Sequence, residues 1–147
     1  MLFENPGLRE DALRCPGHQE WLPLGVRLRA LNLLYNPETT PSRHFEVDFF
    51  GFQYPRDLAC YFDWWVYFFG AYEKQELFCL QDLFHLRAWQ GVFVDVGASA
   101  GPHSLFMALY ADQVHAFEPW EIPRKRLLHK IAANGVRNIT VHPVGLG

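Results

Sequence analysis

From residue 91 onward, short apolar stretches alternate with segments that have the pattern of amphipathic helices. The apolar stretches are rich in valine, isoleucine and phenylalanine and predict three strands, at residues 92–96, 114–118 and 139–144. One predicted helix begins at Pro102 and continues through Leu109, and a second begins at Pro123 and ends at Asn134. This order predicts a right-handed βαβαβ unit with a parallel sheet. The nearly continuous apolar run of the first strand predicts that both of its faces are covered.

The segment before residue 91 predicts a hairpin followed by two helices. Apolar and polar side chains alternate within residues 45–54, which is typical of two half-buried strands joined by a turn. A helix is predicted over residues 57–69, with Asp57 as its N-cap, and another is predicted from about Glu73. Residues 26–34 fit a short strand and a helix equally well.

Composition and charge are those of a globular protein. Of 147 residues, 50% are hydrophobic and 20% are charged, and the net charge is −3, so the basic excess typical of nucleic-acid-binding proteins is absent. The longest aromatic run, residues 61–72, is shorter than a membrane-spanning helix and contains Asp63. The first residues lack the basic and apolar pattern of a secretion signal. We therefore expect a cytoplasmic protein that binds neither nucleic acid nor membrane.

The cysteines agree with a reducing compartment. There are three, Cys15, Cys60 and Cys79, and no Cys-x-x-Cys pair. An odd number without close spacing argues against a disulfide framework and against a zinc site. The seven histidines also lack the His-x-x-x-His spacing within one predicted helix, so we expect no metal.

The candidate chemistry lies in the loop between the first predicted strand of the βαβαβ unit and its first helix. This loop reads Asp95-Val96-Gly97-Ala98-Ser99-Ala100-Gly101. Small side chains let a ligand approach the backbone, and the following helix directs free N–H groups toward it. Glu118 ends the next strand, 21 residues after Gly97. A carboxylate at about this spacing accepts hydrogen bonds from ribose hydroxyls, so the pattern predicts a nucleoside ligand.

Two features argue against a dinucleotide as that ligand. Ser99 stands where a dinucleotide-binding loop has its second glycine, which is the one that admits the pyrophosphate. Asp95, at the end of its strand, would repel a pyrophosphate and would attract a cationic ligand. S-adenosylmethionine, which has a sulfonium and an ammonium group, has the charge pattern that these residues favour.

These motifs together resemble the FkbM family of S-adenosylmethionine-dependent methyltransferases. The resemblance is carried by Phe93-Val94-Asp95-Val96-Gly97-Ala98-Ser99-Ala100-Gly101, Ser104-Leu105, Ala116-Phe117-Glu118-Pro119, Gly70-Ala71-Tyr72-Glu73, Asn134 and Asn138-Ile139. It covers roughly residues 45–147. It implies a Rossmann-like class I methyltransferase fold, which is a three-layer α/β fold with a parallel sheet, and S-adenosylmethionine as the cofactor.

The resemblance also assigns cofactor-binding residues by their positions in the motifs. It assigns the methionine part of the cofactor to Asp95, Gly97, Ala98, Ser99 and Gly101. It implies that Glu118 holds the ribose and that Trp120 flanks the adenine. Tyr72, Glu73 and His103 are expected near the cofactor, and no catalytic residue is assigned. Asp95→Ala and Glu118→Ala are expected to weaken cofactor binding sharply, whereas Lys130→Ala, in the second predicted helix of the βαβαβ unit, is expected not to weaken it.

A domain organisation and a reaction follow from the same resemblance. Residues 1–44 are expected to form an irregular extension, 45–90 to lead into the catalytic domain, and 91–147 to form the first half of the cofactor-binding domain. A class I sheet has seven strands, so we expect a chain truncated after the third strand, with an open sheet edge that favours self-association. The implied reaction is O-methylation of a small-molecule or glycan hydroxyl.

Two other functions fit parts of the sequence. Residues 97–101 also match Gly-x-Ser-x-Gly, the nucleophile elbow of α/β-hydrolases, with Ser99 as the nucleophile. The remaining triad members would then come from Glu118 or Glu121 and from His129 or His142. Only 48 residues follow Ser99, and no His-Gly-Gly-Gly oxyanion segment precedes it. The second alternative is a non-catalytic module that keeps the fold and binds no cofactor.

Overall fold

The structure is a computed structural model that describes residues 22–34, 44–86 and 91–146. In chain order its elements are α1 (Leu24–Leu34), β1 (His44–Phe49), β2 (Phe52–Asp57), α2 (Tyr61–Phe69), α3 (Lys74–Leu86), β3 (Val92–Val96), α4 (Pro102–Met107), β4 (Gln113–Phe117), α5 (Glu121–Asn134) and β5 (Ile139–His142). Cys15 and most of the expected N-terminal extension lie outside the described residues. No helix in the described ranges is long and apolar enough to cross a membrane.

The described residues fall into two compact units. The first unit contains residues 22–34, 44–49 and 55–72, and the second contains residues 50–54, 73–86 and 91–146. The second unit includes the parallel sheet and the glycine-containing loop, so it carries most of the residues to which the sequence assigns chemistry.

The core of the first unit is largely aromatic. Trp64, Tyr67 and Phe68 of α2 are buried, and so is Leu31 of α1. Residues 26–34, whose sequence fits a strand and a helix equally well, lie within α1 and are helical. Gly70 ends α2 in the left-handed conformation, at a φ of 84°, which confirms the predicted end of this helix and is the usual role of glycine at this position.

The start of α2 differs from the prediction. Asp57 is the last residue of β2 rather than a helix N-cap, and Cys60 directly precedes the first turn of α2. The Asp57 carboxylate accepts a hydrogen bond from the Ala59 N–H at 3.0 Å, and the Asp57 carbonyl accepts one from the Cys60 N–H at 2.7 Å. Asp57 thus stabilises the turn that precedes the helix, which is another common use of aspartate.

β1 and β2 form the predicted hairpin. The two residues between them, Phe50 and Gly51, have φ angles of 52° and 89°. Two successive positive φ angles are the mark of a type I′ turn, whose twist matches that of the flanking strands.

The sheet of the second unit confirms the predicted βαβαβ pattern. Its strands are parallel and lie in the order β3-β4-β5. Asp95 of β3 is in register with Ala116 of β4, and Phe117 of β4 is in register with His142 of β5. Because the strands run in the same direction, their carboxyl ends meet at one edge of the sheet. This brings Asp95 and Glu118, which directly follows β4, to the same edge.

The helices α4 and α5 contact the same face of this sheet. Asp95 accepts a hydrogen bond from Ser104 of α4, while its register partner Ala116 packs with Leu127 of α5. On the opposite face, the three valines of β3 are 51–57% exposed. The prediction that both faces of β3 are covered is therefore wrong for the described residues. Successive right-handed crossovers between neighbouring strands place both connecting helices on one face, which explains the difference.

Two helix boundaries in this unit also differ from the prediction. α4 ends at Met107 rather than continuing through the next turn, and α5 begins at Glu121, before the proline expected to open it. The Asn138 side-chain amide donates to the carbonyls of Ala108 and Ala111, at 2.9 and 3.0 Å. These bonds satisfy carbonyls beyond the end of α4, which a longer helix would have used internally.

Candidate functional site

The loop between β3 and α4 bends at three residues that have positive φ. Gly97, Ser99 and Gly101 have φ angles of 83°, 50° and 83°. The N–H groups of Gly97 and Ala98 both donate to the carbonyl of Phe117 at the end of β4, at 2.9 and 3.0 Å. Among the described residues, no atom outside its chain neighbours lies within 4 Å of the position that a Cβ on Gly97 would take. The loop is thus fixed to the sheet and has open space beside Gly97.

Glu118 anchors the middle of this loop. Its side chain is 4% exposed, and its two carboxylate oxygens accept hydrogen bonds from the backbone N–H groups of Ser99 and Trp120, each at 2.8 Å. The Glu118 N–H itself donates to the carbonyl of His142 at 3.0 Å. Each oxygen of an ionised carboxylate can accept more than one hydrogen bond, so Glu118 keeps acceptor capacity for a ligand hydroxyl. The spacing between Gly97 and Glu118 did not predict that the Glu118 carboxylate would bind the loop at the Ser99 N–H.

Asp95 is the second carboxylate at this edge of the sheet, and it is half-buried. Ser104 Oγ of α4 donates a hydrogen bond to Asp95 Oδ2 at 2.6 Å. Burial raises the pKa of Asp95 above its ordinary value, and the nearby charge of Glu118 adds to this effect. The hydrogen bond from Ser104 and the proximity of His103 act in the opposite direction. Asp95 is therefore an acid that Ser104 orients and whose charged form is disfavoured mainly by burial.

Two residues of α5, Leu127 and Lys130, hold the end of the loop. Leu127 is fully buried, and a Cβ on Gly101 would overlap its side chain. Lys130 is 1% exposed, and its Nζ donates to the carbonyl of Ala100 at 3.2 Å. Lys130 therefore contacts the loop directly, and the prediction that Lys130→Ala leaves cofactor binding unchanged stays a prediction. Its position three residues after Leu127 puts both on one helix face, a signal that could have revealed it.

Trp120 lies two residues after Glu118, just before α5. Its side chain is 75% exposed, so the indole ring is accessible to a ligand at this edge of the sheet. The segment that carries it is held by Arg124, whose Nη1 donates to the carbonyls of Glu118 and Pro119 at 3.1 and 2.7 Å. An exposed ring on a fixed backbone is compatible with the predicted contact to an adenine.

Glu73 and His103 come together where α3 and α4 begin. His103 Nε2 lies 3.6 Å from Glu73 Oε2, and Glu76 joins them in a group whose carboxylate and imidazole atoms lie within 4.8 Å of one another. A hydrogen bond with Glu73 raises the pKa of Glu76. Sequence reasoning missed Glu76, although it follows Glu73 by three residues. Exposed acidic groups of this kind are common without an ion, so the group does not by itself define a metal site.

Tyr72 belongs to the first unit, unlike the other predicted site residues. Its ring packs edge-on against the rings of Phe62, Tyr61 and Trp65, with centroid distances of 4.9, 5.9 and 6.0 Å. Aromatic packing within that unit accounts for the position of this side chain. Its predicted place near a cofactor stays a prediction.

Ser99 has one feature of a hydrolase nucleophile and lacks the others. Its positive φ, between β3 and α4, is what a nucleophile elbow requires. Within the described ranges, however, no hydrogen bond joins Ser99 Oγ to a histidine, and His142 Nε2 lies 2.9 Å from His115 Nδ1 instead. Glu118 is engaged by two backbone N–H groups. The nucleophile, base and acid of a triad are therefore not linked.

Comparisons with known proteins find solved structures that resemble part of this chain. A scan against protein-family models finds no match, and a search of curated proteins finds no relative. An rRNA methylase from Streptococcus thermophilus is 21% identical, with a TM-score of 0.37, over 38% of this chain and 34% of that protein. YcgJ from Bacillus subtilis is 19% identical, with a TM-score of 0.44, over 50% of this chain and 31% of that one. Wild-type Trm5b from Pyrococcus abyssi is 23% identical, with a TM-score of 0.48, over 67% of this chain and 27% of that one.

The present chain therefore matches about a third or less of the length of each of these three proteins. All three TM-scores are below 0.5 and all three identities are below 25%. Values this low do not support an inference about function, which we draw from the residues of the site instead.

Proposed function

We propose that this chain binds S-adenosylmethionine at the loop of residues 97–101 and serves the O-methylation of a small-molecule or glycan hydroxyl. The observation that carries the proposal is the placement of Asp95 and Glu118 at the ends of adjacent parallel strands, on either side of a loop with three positive φ angles. Ligands of parallel α/β sheets bind at this carboxyl edge. The resemblance of the same motifs to the FkbM family supports methyl transfer as the reaction.

The charges and the accessible groups at this edge support a cationic adenosyl cofactor as the ligand. The sulfonium and the ammonium of the cofactor are cationic, and Asp95 offers a half-buried carboxylate that Ser104 orients. Glu118 retains acceptor capacity for ribose hydroxyls, and the exposed ring of Trp120 suits stacking on an adenine. The open space beside Gly97 lets a bulky group approach the backbone.

The chain would contribute positioning rather than covalent chemistry. S-adenosylmethionine, when bound, supplies a methyl group already activated by the sulfonium. Holding a donor in line with an acceptor hydroxyl removes much of the entropic barrier to such a displacement. The fixed loop, with its bonds to Phe117 and Glu118, provides a rigid surface for this purpose. Asp95 must be ionised to attract a cation, so we expect affinity to fall as the pH drops through its raised pKa.

We propose a small molecule or a glycan as the methyl acceptor, on the basis of two observations. The first is the FkbM-like motifs, which imply transfer to an oxygen. The second is the net charge of −3, which does not favour a polyanionic acceptor such as a nucleic acid.

Calorimetric titration with S-adenosylhomocysteine, the demethylated product, tests the proposal. We expect the chain to bind it, and we expect Asp95→Asn and Glu118→Gln each to bind about 10- to 100-fold more weakly, since a hydrogen bond to a charged group is worth about 1.5–3 kcal/mol. Asp82→Asn, which removes an exposed carboxylate of α3, is the matched control and should bind within about twofold of the unaltered chain.

Two results would contradict the assignment. Equal affinities of Asp95→Asn, Glu118→Gln and Asp82→Asn would show that the two carboxylates do not contact the ligand. Absence of heat at millimolar ligand, in a chain shown to be folded by circular dichroism, would instead favour a non-catalytic module.

A further inference from the structure

We propose that Lys130 is a positioning residue that fixes the peptide group between Ala100 and Gly101, and that Tyr54 holds the ammonium of Lys130 in place for this task. This inference rests on the proposed function, because the loop that Lys130 fixes is the proposed cofactor loop. The peptide group concerned lies at the end of that loop, directly before α4.

The first observation is the burial of the Lys130 charge. Lys130 is 1% exposed, and its Nζ lies 3.6 Å from the centroid of the fully buried Tyr54 ring. Removing an ammonium from water is unfavourable, and a cation–π contact offsets part of that cost. An apolar side chain of similar length would fill the same space without desolvating a charge. The ammonium is therefore better explained by what it binds than by the volume it fills.

The second observation is the hydrogen-bonding state of the peptide group that Lys130 contacts. The Ala100 carbonyl accepts from Lys130 Nζ at 3.2 Å, and the N–H of the same peptide group, on Gly101, donates to the Ala98 carbonyl at 2.9 Å. Both polar ends of this peptide group are thus held. Because the group is planar, fixing both ends sets its orientation, and with it the direction in which the chain enters α4.

The third observation is that β2 is hydrogen-bonded to α5 one turn after Lys130. The Asn134 side chain accepts from the Gln53 N–H at 2.7 Å and donates to the Gln53 carbonyl at 2.6 Å. Asn134 also donates to the carbonyl of Lys130, at 2.9 Å. Gln53 and Tyr54 are adjacent in β2, and Lys130 and Asn134 are one turn apart in α5. Of these two consecutive residues of β2, Gln53 therefore binds α5 through Asn134, and Tyr54 contacts the Lys130 ammonium.

The test compares Lys130→Met with Lys125→Met. The first variant keeps an unbranched apolar side chain out to the ε position and removes the buried ammonium, and the second makes the same change at an exposed position of the same helix. Hydrogen exchange of the Gly101 amide is measured in the ligand-free chain, with the Val114 amide of β4, which donates to the Asn138 carbonyl, as the internal reference. We expect exchange at Gly101 to be at least tenfold faster in Lys130→Met and unchanged in Lys125→Met, with Val114 unaffected in both.

This readout separates positioning from a general structural role. If Lys130 only stabilised the fold, its loss would accelerate exchange at Gly101 and Val114 by the same factor, and that result would overturn the proposal. Unchanged exchange at Gly101 would overturn it as well. Tyr54→Phe keeps the ring and should match the unaltered chain at Gly101, whereas Tyr54→Leu should accelerate exchange there. If the Gly101 amide exchanges at the same rate in Tyr54→Leu and Tyr54→Phe, the Tyr54 ring does not hold the ammonium, and the proposal as stated is overturned.

Ligand binding gives the second readout. We expect Lys130→Met to bind S-adenosylhomocysteine about tenfold more weakly than Lys125→Met does, and equal affinities would contradict the proposal. If the unaltered chain binds no S-adenosylhomocysteine, the proposed function fails, while the exchange experiment still decides whether Lys130 fixes the peptide group. Lys130→Gln is made in parallel, and failure of both Lys130 variants to fold would overturn the proposal, because it would show a requirement for the fold itself.

Discussion

Replacing Gly101 by alanine should destabilise the second unit strongly, for two separable reasons. The first is conformational: Gly101 has a φ of 83°, and a left-handed backbone costs a residue with a Cβ about 1–2 kcal/mol. The second is steric, because the added Cβ would overlap Leu127 Cδ1 and would lie 3.1 Å from Leu127 Cγ. Leu127 is fully buried, and overpacking of a core position costs about 1–3 kcal/mol.

Gly97 provides a control for the conformational part of the cost of Gly101→Ala. Gly97 has the same φ of 83°, and the structure places nothing within 4 Å of its Cβ position in the described ranges. Gly97→Ala should therefore cost about 1–2 kcal/mol, and Gly101→Ala about 2–5 kcal/mol. The difference of about 1–3 kcal/mol, with a slope of about 1–3 kcal/mol per molar urea, should separate the two unfolding midpoints by about 0.3–3 M.

Equilibrium urea unfolding, followed by tryptophan fluorescence and circular dichroism, measures both variants. A combined Gly101→Ala, Leu127→Ala chain should be less destabilised than the sum of the two single variants, because removal of the leucine side chain relieves the overlap. Equal free energies of unfolding for Gly97→Ala and Gly101→Ala would refute the packing of the loop against α5. Additivity in the double variant would refute it independently.

Two further predictions concern carboxylates. Burial raises the pKa of Asp95, so the folded chain binds this proton more tightly than the unfolded chain does, and the stability of the unaltered chain should fall as the pH rises from about 4 through that raised pKa. Asp95→Asn cannot ionise at this position. Urea unfolding should therefore show that the free energy of unfolding of Asp95→Asn, relative to that of the unaltered chain, increases between pH 4 and pH 7. A difference that stays constant over this pH range would contradict the burial of Asp95. The pKa of Glu121 is lowered by the hydrogen bond from Lys125, whose Nζ lies 2.6 Å away. Lys125→Ala should raise that pKa toward its ordinary value in a carbon-13 NMR titration, and an unmoved titration would show that the ion pair is absent in solution.

The elements that the sequence predicted well are those set by local residue patterns. The apolar runs of β3 and β4, the positive-φ glycines of the hairpin and of α2, and the Asn134-Gly135 end of α5 all act over a few residues. The glycine-containing loop was located for the same reason, since small residues between a strand and a helix are visible without knowledge of the fold.

The features that escaped prediction depend on residues far apart in the chain. Gln53 and Asn134 are separated by 81 positions, and the contact of Lys130 with Ala100 spans 30. The spacing of Lys130 from Leu127 indicates a shared helix face, but it does not specify the Ala100 carbonyl as the partner, and no local pattern pairs Gln53 with Asn134. Glu118 was selected for its spacing, yet its contact with the Ser99 N–H depends on how the loop bends over β4. The exposed valine face of β3 likewise follows from the order of the strands, which an apolar run alone does not specify.

The central claim is that the loop of residues 97–101 and the strand ends beside it form a site for an adenosyl cofactor. A nitrogen-15 NMR titration of the whole chain with S-adenosylhomocysteine tests it most directly. The amide signals of Gly97, Ser99 and Gly101 should shift in a saturable manner, while the signal of Asp82 stays in place. Saturable shifts confined to residues away from this loop, or unmoved loop signals at millimolar ligand, would contradict the claim.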